Sequence, residues 1–241
     1  MLANVFLTPI PLNKADLERK TVVVIDVLRS STTICACLLA GARGVIPTED
    51  PGDAGELRTR LGADAAVLAG ERDGFKIENF QYGNSPAEFT SATVGDKTVI
   101  LCTTNGTGIF ARTAKAETIL CGGLVNISRV AEEVARIDQD LVVVCAGREG
   151  GFSVEDTICA GMLIELLRTS HRKQILLNDA ASLALMLYDR TRTSIPRAIA
   201  EGEHARFLAS LGFADDVDLC TRVDSMPVLP LLKDGRLVKL D

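Results

Sequence analysis

Apolar runs and polar breaks alternate along most of this chain. Val22–Ile25, Ala65–Ala69, Val99–Cys102 and Leu141–Cys145 are short continuous apolar runs, rich in valine, isoleucine, leucine and alanine. Runs without polar alternation predict strands buried on both faces of a sheet. Ala3–Leu7, closed by Thr8-Pro9-Ile10-Pro11, predicts a first strand, and Gly44–Pro47, Thr118–Cys121 and Gln174–Leu177 predict others. Helical segments lie between them. Ser30-Ser31-Thr32-Thr33 opens the apolar segment Ile34–Ala42, with Ser or Thr expected at the cap and Gly41 and Gly44 marking its end. Asp53–Leu61, Val125–Ile137, Ser153 to about Leu167, Asn178–Tyr188 and Glu201–Leu211 predict further helices. At Gly83–Glu88 another helix is expected to start, with Ser85 as cap, Pro86 in the first turn and Glu88 returning the bond of a capping box. Glu71–Tyr82 reads as loop. In the tail, Asp234-Gly235 between apolar runs predicts a C-terminal hairpin.

Strand–helix alternation over the first two thirds predicts an α/β fold. The expectation is a layered α/β/α arrangement with a largely parallel or mixed sheet, as a single domain over residues 1–241. Ligands in such folds bind beyond the carboxyl ends of the strands. Four of the apolar runs end there in chemically able residues. Val22–Ile25 leads to Asp26 and Arg29, Ala65–Ala69 to Gly70-Glu71-Arg72, Val99–Cys102 to Thr103-Thr104-Asn105-Gly106-Thr107, and Leu141–Cys145 to Gly147-Arg148-Glu149. The expectation is that these ends meet at one anion site.

Each candidate has a structural reading beside the functional one. Asp26 can ligate Mg²⁺, act as a base or attack phosphorus; structurally, it would hydrogen-bond the Ser30–Thr33 amides. Arg29, Arg72 and Arg148 offer donor forks that match phosphate, sulfonate or carboxylate, or else form surface ion pairs. Thr103–Thr107 can cradle phosphate at a helix N-terminus, or simply cap that helix from Thr104 or Asn105. No Gly-Lys-Ser/Thr follows, so it is not a P-loop. Glu71, Glu149, Glu155 and Asp156 supply carboxylates for a divalent ion, although Asp156 also completes a capping box with Ser153. Cys37 and Arg43 have a cysteine-phosphatase spacing, but the residues between them read as helix rather than a glycine-rich loop. His171 and His204, the only histidines, lie far from these motifs in sequence, which argues against a zinc cluster and gives little support to a Ser-His-Asp triad.

Composition narrows the partners. The 241 residues carry a formal charge of −6, no tryptophan and 4% aromatics. That argues against nucleic acid and against anionic membranes, both of which favour a basic face. Seven cysteines, an odd number mostly in apolar surroundings, predict reduced thiols in a cytoplasmic protein. Met1–Leu12 lacks a basic n-region and does not predict a signal peptide. No apolar run reaches eighteen residues, so no membrane span is expected. Whether the chain forms a homo-oligomer is left open.

Asp26-Val27-Leu28-Arg29-Ser30-Ser31-Thr32-Thr33, Gly70-Glu71-Arg72, Gly83-Asn84-Ser85-Pro86, Thr103-Thr104-Asn105-Gly106-Thr107 and Cys145-Ala146-Gly147-Arg148-Glu149-Gly150 resemble, in order and spacing, successive blocks of the 2-phosphosulfolactate phosphatase family. Glu155-Asp156, Asn178-Asp179-Ala180 and Asp224–Pro227 continue the likeness, which runs from about residue 20 to the end. Ser31 stands where alanine would be expected. The resemblance implies a layered α/β fold and a Mg²⁺-dependent acid phosphatase. It would release phosphate from 2-phospho-3-sulfolactate, a step toward coenzyme M, or from a related phosphorylated hydroxy acid. On that reading Asp26 holds the metal or attacks phosphorus, with Arg29 and Asn105 completing the catalytic set. Glu71 and Glu155 ligate the metal; Thr103, Thr104, Gly106 and Thr107 grip phosphate; Arg72 and Arg148 hold the other anionic groups. The alternatives are a non-catalytic anion-binding domain on the same scaffold and a nucleotide phosphotransferase.

Overall fold

The computed structural model describes residues 1–9 and 17–240; Ile10 and Pro11 of the expected first-strand closure, and part of the Met1–Leu12 segment, lie outside them. Eleven strands form one mixed, mostly parallel sheet. They are β1 (Leu2–Phe6), β2 (Thr21–Ile25), β3 (Gly44–Thr48), β4 (Ala66–Arg72), β5 (Phe75–Lys76), β6 (Thr98–Cys102), β7 (Thr118–Gly122), β8 (Leu141–Cys145), β9 (Leu176–Leu177), β10 (Leu229–Lys233) and β11 (Arg236–Leu240). The helices are α1 (Ser30–Leu39), α2 (Pro51–Leu61), α3 (Ser91–Val94), α4 (Thr107–Thr113), α5 (Ile127–Ile137), α6 (Val154–Thr169), α7 (Asp179–Thr191), α8 (Ile195–Ala200), α9 (Glu203–Ser210) and α10 (Ala214–Cys220). Among the described residues no helix is long and apolar enough to cross a membrane.

The strand order is β5-β4-β6-β3-β11-β10-β7-β2-β8-β1-β9. Two parallel blocks, β4-β6-β3 and β7-β2-β8-β1-β9, are joined by the C-terminal hairpin β10–β11. The hairpin is antiparallel within itself and to both neighbours, pairing Leu231 with Leu120 on one side and Leu237 with Val45 on the other. The expected hairpin is therefore present, and it is the seam of the sheet.

β2 shows why its sequence has no polar alternation. Val23 and Ile25 pack on one face with α5, α6 and α7; Val22 and Val24 pack on the other with α1. Strands β7, β10, β11 and β3 stand between β2 and β6, yet a Cβ on Gly106, just past β6, would meet the Asp26 carboxylate just past β2 at 2.3 Å. The sheet is thus curled, and α1 lies in its hollow with every residue from Ser30 to Leu38 buried. Ile34, Cys35 and Cys37 share one core with Val45, Val99 and Ile119 from the two blocks and Leu237 from the hairpin.

Several expectations are corrected here. α1 begins at Ser30 with Arg29 at its cap and no side-chain cap bond. Its hydroxyls are used laterally instead: Thr32 Oγ1 donates to the Val27 carbonyl and Thr33 Oγ1 to the Asn84 carbonyl. The segment after Gly83 yields only a 3₁₀ turn, Pro86–Glu88, although Glu88 does accept the Ser85 N–H. Part of the expected Glu71–Tyr82 loop is strand, because β4 runs on to Arg72 and folds back into β5. α8 and α10 were not anticipated; both are short and fold against α6, α9 and the Pro86 turn.

α6 and α7 cross at Gly161, where an added Cβ would lie 2.1 Å from the Ala184 carbonyl oxygen. Gly161→Ala should cost about 1–3 kcal/mol by overpacking and lower Tm by roughly 2–4 °C per kcal/mol. Gly55→Ala in α2 meets nothing within 4 Å and should gain about 0.5–1 kcal/mol of helix propensity. Thermal melts of the two variants should therefore move in opposite directions, and a common direction would contradict this packing.

Candidate active site

The carboxyl ends of β2, β4, β6 and β8 surround a cavity of about 70 Å³. Asp26, Arg29, Glu71, Thr104, Asn105, Arg148 and Glu149 line it, so seven of the sequence candidates from four separate motifs meet in one place. Asp73, Asn84 and His204 line it as well.

Asp26 is the first residue beyond β2 and is 6% exposed. Its N–H donates to Ser31 Oγ at 2.9 Å, and its Oδ1 accepts the Ser30 N–H at 3.3 Å. That is the structural reading of Asp26, but it occupies one carboxylate oxygen. Oδ2 accepts no hydrogen bond from a described residue and faces the Gly106 backbone. Burial pushes the Asp26 carboxyl up from 3.8 to about 6; the Ser30 hydrogen bonds and the His204 charge pull it down, and the Glu71 charge pushes it up.

Glu71 ties two loops together. Its carboxylate accepts the Gly74 N–H at 2.9 Å, the Thr104 N–H at 2.9 Å and the Thr104 hydroxyl at 3.2 Å. In the Thr103–Thr107 turn, the Thr103 and Thr107 hydroxyls bond each other and the turn's own backbone, and Thr103 Oγ1 reaches Ser30 Oγ at 3.2 Å. Thr103, Gly106 and Thr107 therefore form the wall behind the cavity, while Thr104 and Asn105 face it. The Asn105 and Gly106 N–H groups donate to no described residue. The N-cap of α4 is Gly106, so the turn is not capped from Thr104 or Asn105.

The three arginines, alike in sequence position, diverge. Arg29 is 3% exposed; it donates to Asp216 Oδ2 at 2.6 Å and to the Gly74 carbonyl at 3.2 Å, and stacks 4.3 Å from the Phe213 ring centroid. Asp216 also accepts the Ser85 hydroxyl at 2.6 Å. Arg72 does not line the cavity: its guanidinium donates to the Glu71 and Glu49 carbonyls. Arg148 lines the cavity above the Phe207 ring, and its ion-pair partners, Glu149 at 3.0 Å and Glu203 at 3.7 Å, are both largely exposed. Its guanidinium is held only by carboxylates that water already solvates, which leaves it able to take an anionic ligand.

Two further residues differ from expectation. Asp156 does not close a capping box; its carboxylate accepts the Val27 N–H at 2.8 Å and the Gly147 N–H at 3.0 Å, joining the ends of β2 and β8. Burial, with the charges of Asp26 and Glu155, pushes its carboxyl well up. Glu155 is 1% exposed, does not line that cavity and sits 2.8 Å from His204 Nδ1. His204, remote in sequence, is thus part of the site. Asn84 Oδ1 is buried at the cavity wall without a described partner. Only an unexplained Glu155 in the sequence hinted at His204; Asp216, Phe207 and Phe213 left no local signal.

An acid pushed up by burial stabilises the fold while protonated and destabilises it once ionised. For Asp26 the full shift corresponds to about 3 kcal/mol. Asp26→Asn, melted in the presence of a chelator, should therefore be more stable than the parent at about pH 8, with the gain fading as pH falls from about 6 to about 4. A pH-independent difference would mean that Asp26 is not held in this environment.

The family model described as 2-phosphosulpholactate phosphatase matches residues 6–235. A protein of Caldanaerobacter subterraneus subsp. tengcongensis, named probable 2-phosphosulfolactate phosphatase, is 38% identical over 224 residues, 93% of this chain and 92% of its own. Proteins with the same name from Thermotoga petrophila and Clostridium novyi are 36% and 32% identical, covering 90% and 99% of this chain and 91% and 100% of theirs. These matches show that the chain belongs to the 2-phosphosulfolactate phosphatase family.

Proposed function

We propose that the chain is a Mg²⁺-dependent phosphatase that hydrolyses the phosphate monoester of a small, strongly acidic 2-hydroxy acid. The compound for which its relatives are named, 2-phospho-3-sulfolactate, is the leading substrate. One observation carries this reading: a buried carboxylate with a free oxygen, Asn105 with its unused backbone N–H, and a loosely paired arginine line a single cavity.

The charges of the cavity support a cation. Four carboxylates, those of Asp26, Glu71, Asp73 and Glu149, face two guanidinium groups, and that of Arg29 is already paired with Asp216. A polyanionic substrate needs more positive charge than that. The nearby oxygens are Asp26 Oδ2, the Glu71 carboxylate, which already accepts three hydrogen bonds, and the orphaned Asn84 Oδ1. Such a set fits Mg²⁺, which takes one or two carboxylates and completes its shell with water and substrate oxygens. Among the described residues no group of three or more His, Cys, Asp or Glu could hold a metal ion by itself. Asp26 and Glu71 would hold it, and when bound it supplies charge neutralisation and polarisation of the phosphoryl oxygens. Glu155, an expected ligand, is committed to His204. Asn105 presents its N–H to the phosphoryl oxygens, and Arg148 takes a carboxylate or sulfonate. Arg72, turned toward carbonyl groups, has no place in this contact set.

Phosphate release from 2-phospho-3-sulfolactate should be abolished by chelator and restored by Mg²⁺. Arg148→Ala should lower kcat/KM by about 10–100-fold, the worth of one charged hydrogen-bonding contact. Tight binding of the compound without any release would instead favour a non-catalytic anion-binding role.

A further inference from the structure

His204 enters the site from α9, which begins one residue after Gly202. The Gly202 turn brings the ring onto α6, where Nδ1 lies 2.8 Å from Glu155 Oε1. The Glu155 side chain is 2% exposed, and its other oxygen has no described partner. A carboxylate buried this way is costly unless a cationic donor faces it, and the His204 ring is the donor present. With Nδ1–H committed to Glu155, Nε2 is the ring nitrogen left without a described partner, on a residue that lines the same cavity as Asp26. Asp26 from the β2–α1 turn, Glu149 and Arg148 from the β8–α6 loop and Glu203 on its own helix are the ring's charged neighbours.

We infer that His204 is the general acid that protonates the leaving oxygen of the phosphate ester, and that Glu155 is the positioning residue that orients its ring and balances its charge. This inference rests on the phosphatase reading of the cavity and adds a requirement that reading lacks. The alkoxide of a 2-hydroxy acid is a poor leaving group, and a positioned acid typically accelerates such a departure by about 10²–10⁴-fold. As the ester P–O bond breaks, its electron pair stays on the carbon-bound oxygen and the Nε2 proton moves to that oxygen, giving the free hydroxyl. A water supplies the new P–O bond, and a proton released from that water returns the imidazole to imidazolium. The net change is ester plus water to alcohol plus hydrogen phosphate.

The test compares an alkyl ester, 2-phospho-3-sulfolactate, with an aryl ester, p-nitrophenyl phosphate, whose phenolate leaves without protonation. His204→Gln should lower kcat on the alkyl ester by about 100-fold or more but on the aryl ester by less than about tenfold, and the retained aryl activity reports that the variant is folded. In the parent protein, kcat on the alkyl ester should fall as pH rises through the imidazolium range, a limb absent with the aryl ester; this holds whether or not the variant folds. Glu155→Gln should move that limb to lower pH. Equal losses on both esters in His204→Gln, or identical pH profiles for the two esters in the parent, would overturn the assignment while leaving the phosphatase reading standing. No release from either ester would overturn both.

Discussion

The site depends on a carboxylate held out of water against a bare stretch of backbone. Asp26 lies between the start of α1 and Gly106, where even a methyl group would collide with Oδ2 at 2.3 Å and with Ser30 Oγ at 2.8 Å. The Ser30 N–H donates to Oδ1, the Asp26 N–H donates to the Ser31 hydroxyl, and burial raises the cost of the carboxylate's charge. A carboxylate in that position favours whatever brings positive charge to its open side. Stability is given up there for a site poised to bind.

The sheet makes that approach possible. Two parallel blocks alone would leave the β2 and β6 loops far apart. The C-terminal hairpin joins the blocks into one curled sheet around α1, and the α1 hydroxyls then link loops from both sides. The second half of the chain closes the other wall: α9 contributes His204 and Phe207, and α10 anchors Arg29 through Asp216. The fold and the site are therefore one construction, in which residues more than a hundred positions apart share single hydrogen bonds.

What the sequence made legible follows from local physics. β2, β6 and β8 stood out because both of their faces are buried, and the Asp234-Gly235 turn announced the hairpin. Asp26, Glu71, Asn105 and Arg148 were recognisable because polar residues at the carboxyl ends of such strands have few structural duties. Long-range pairing leaves no comparable trace. Nothing near Arg29 shows that Asp216, 187 residues later, will neutralise it, and nothing near Arg72 shows that it will turn toward Glu49. Asp156 looked like a cap because Ser153 stands three residues before it, yet its carboxylate joins two strand ends. His204 sat in an unremarkable amphipathic helix whose placement against Glu155 is set wholly by tertiary packing.

The central claim is that the strand ends form one site for an oxyanion beside Asp26. Anomalous scattering from crystals grown with Mg²⁺ and tungstate, a heavy analogue of phosphate, tests it most directly. The account predicts a tungsten peak within hydrogen-bonding reach of the Asn105 N–H and adjacent to the Asp26 carboxylate. A peak only in the groove between Phe110 and Leu232, or none at any site, would contradict it.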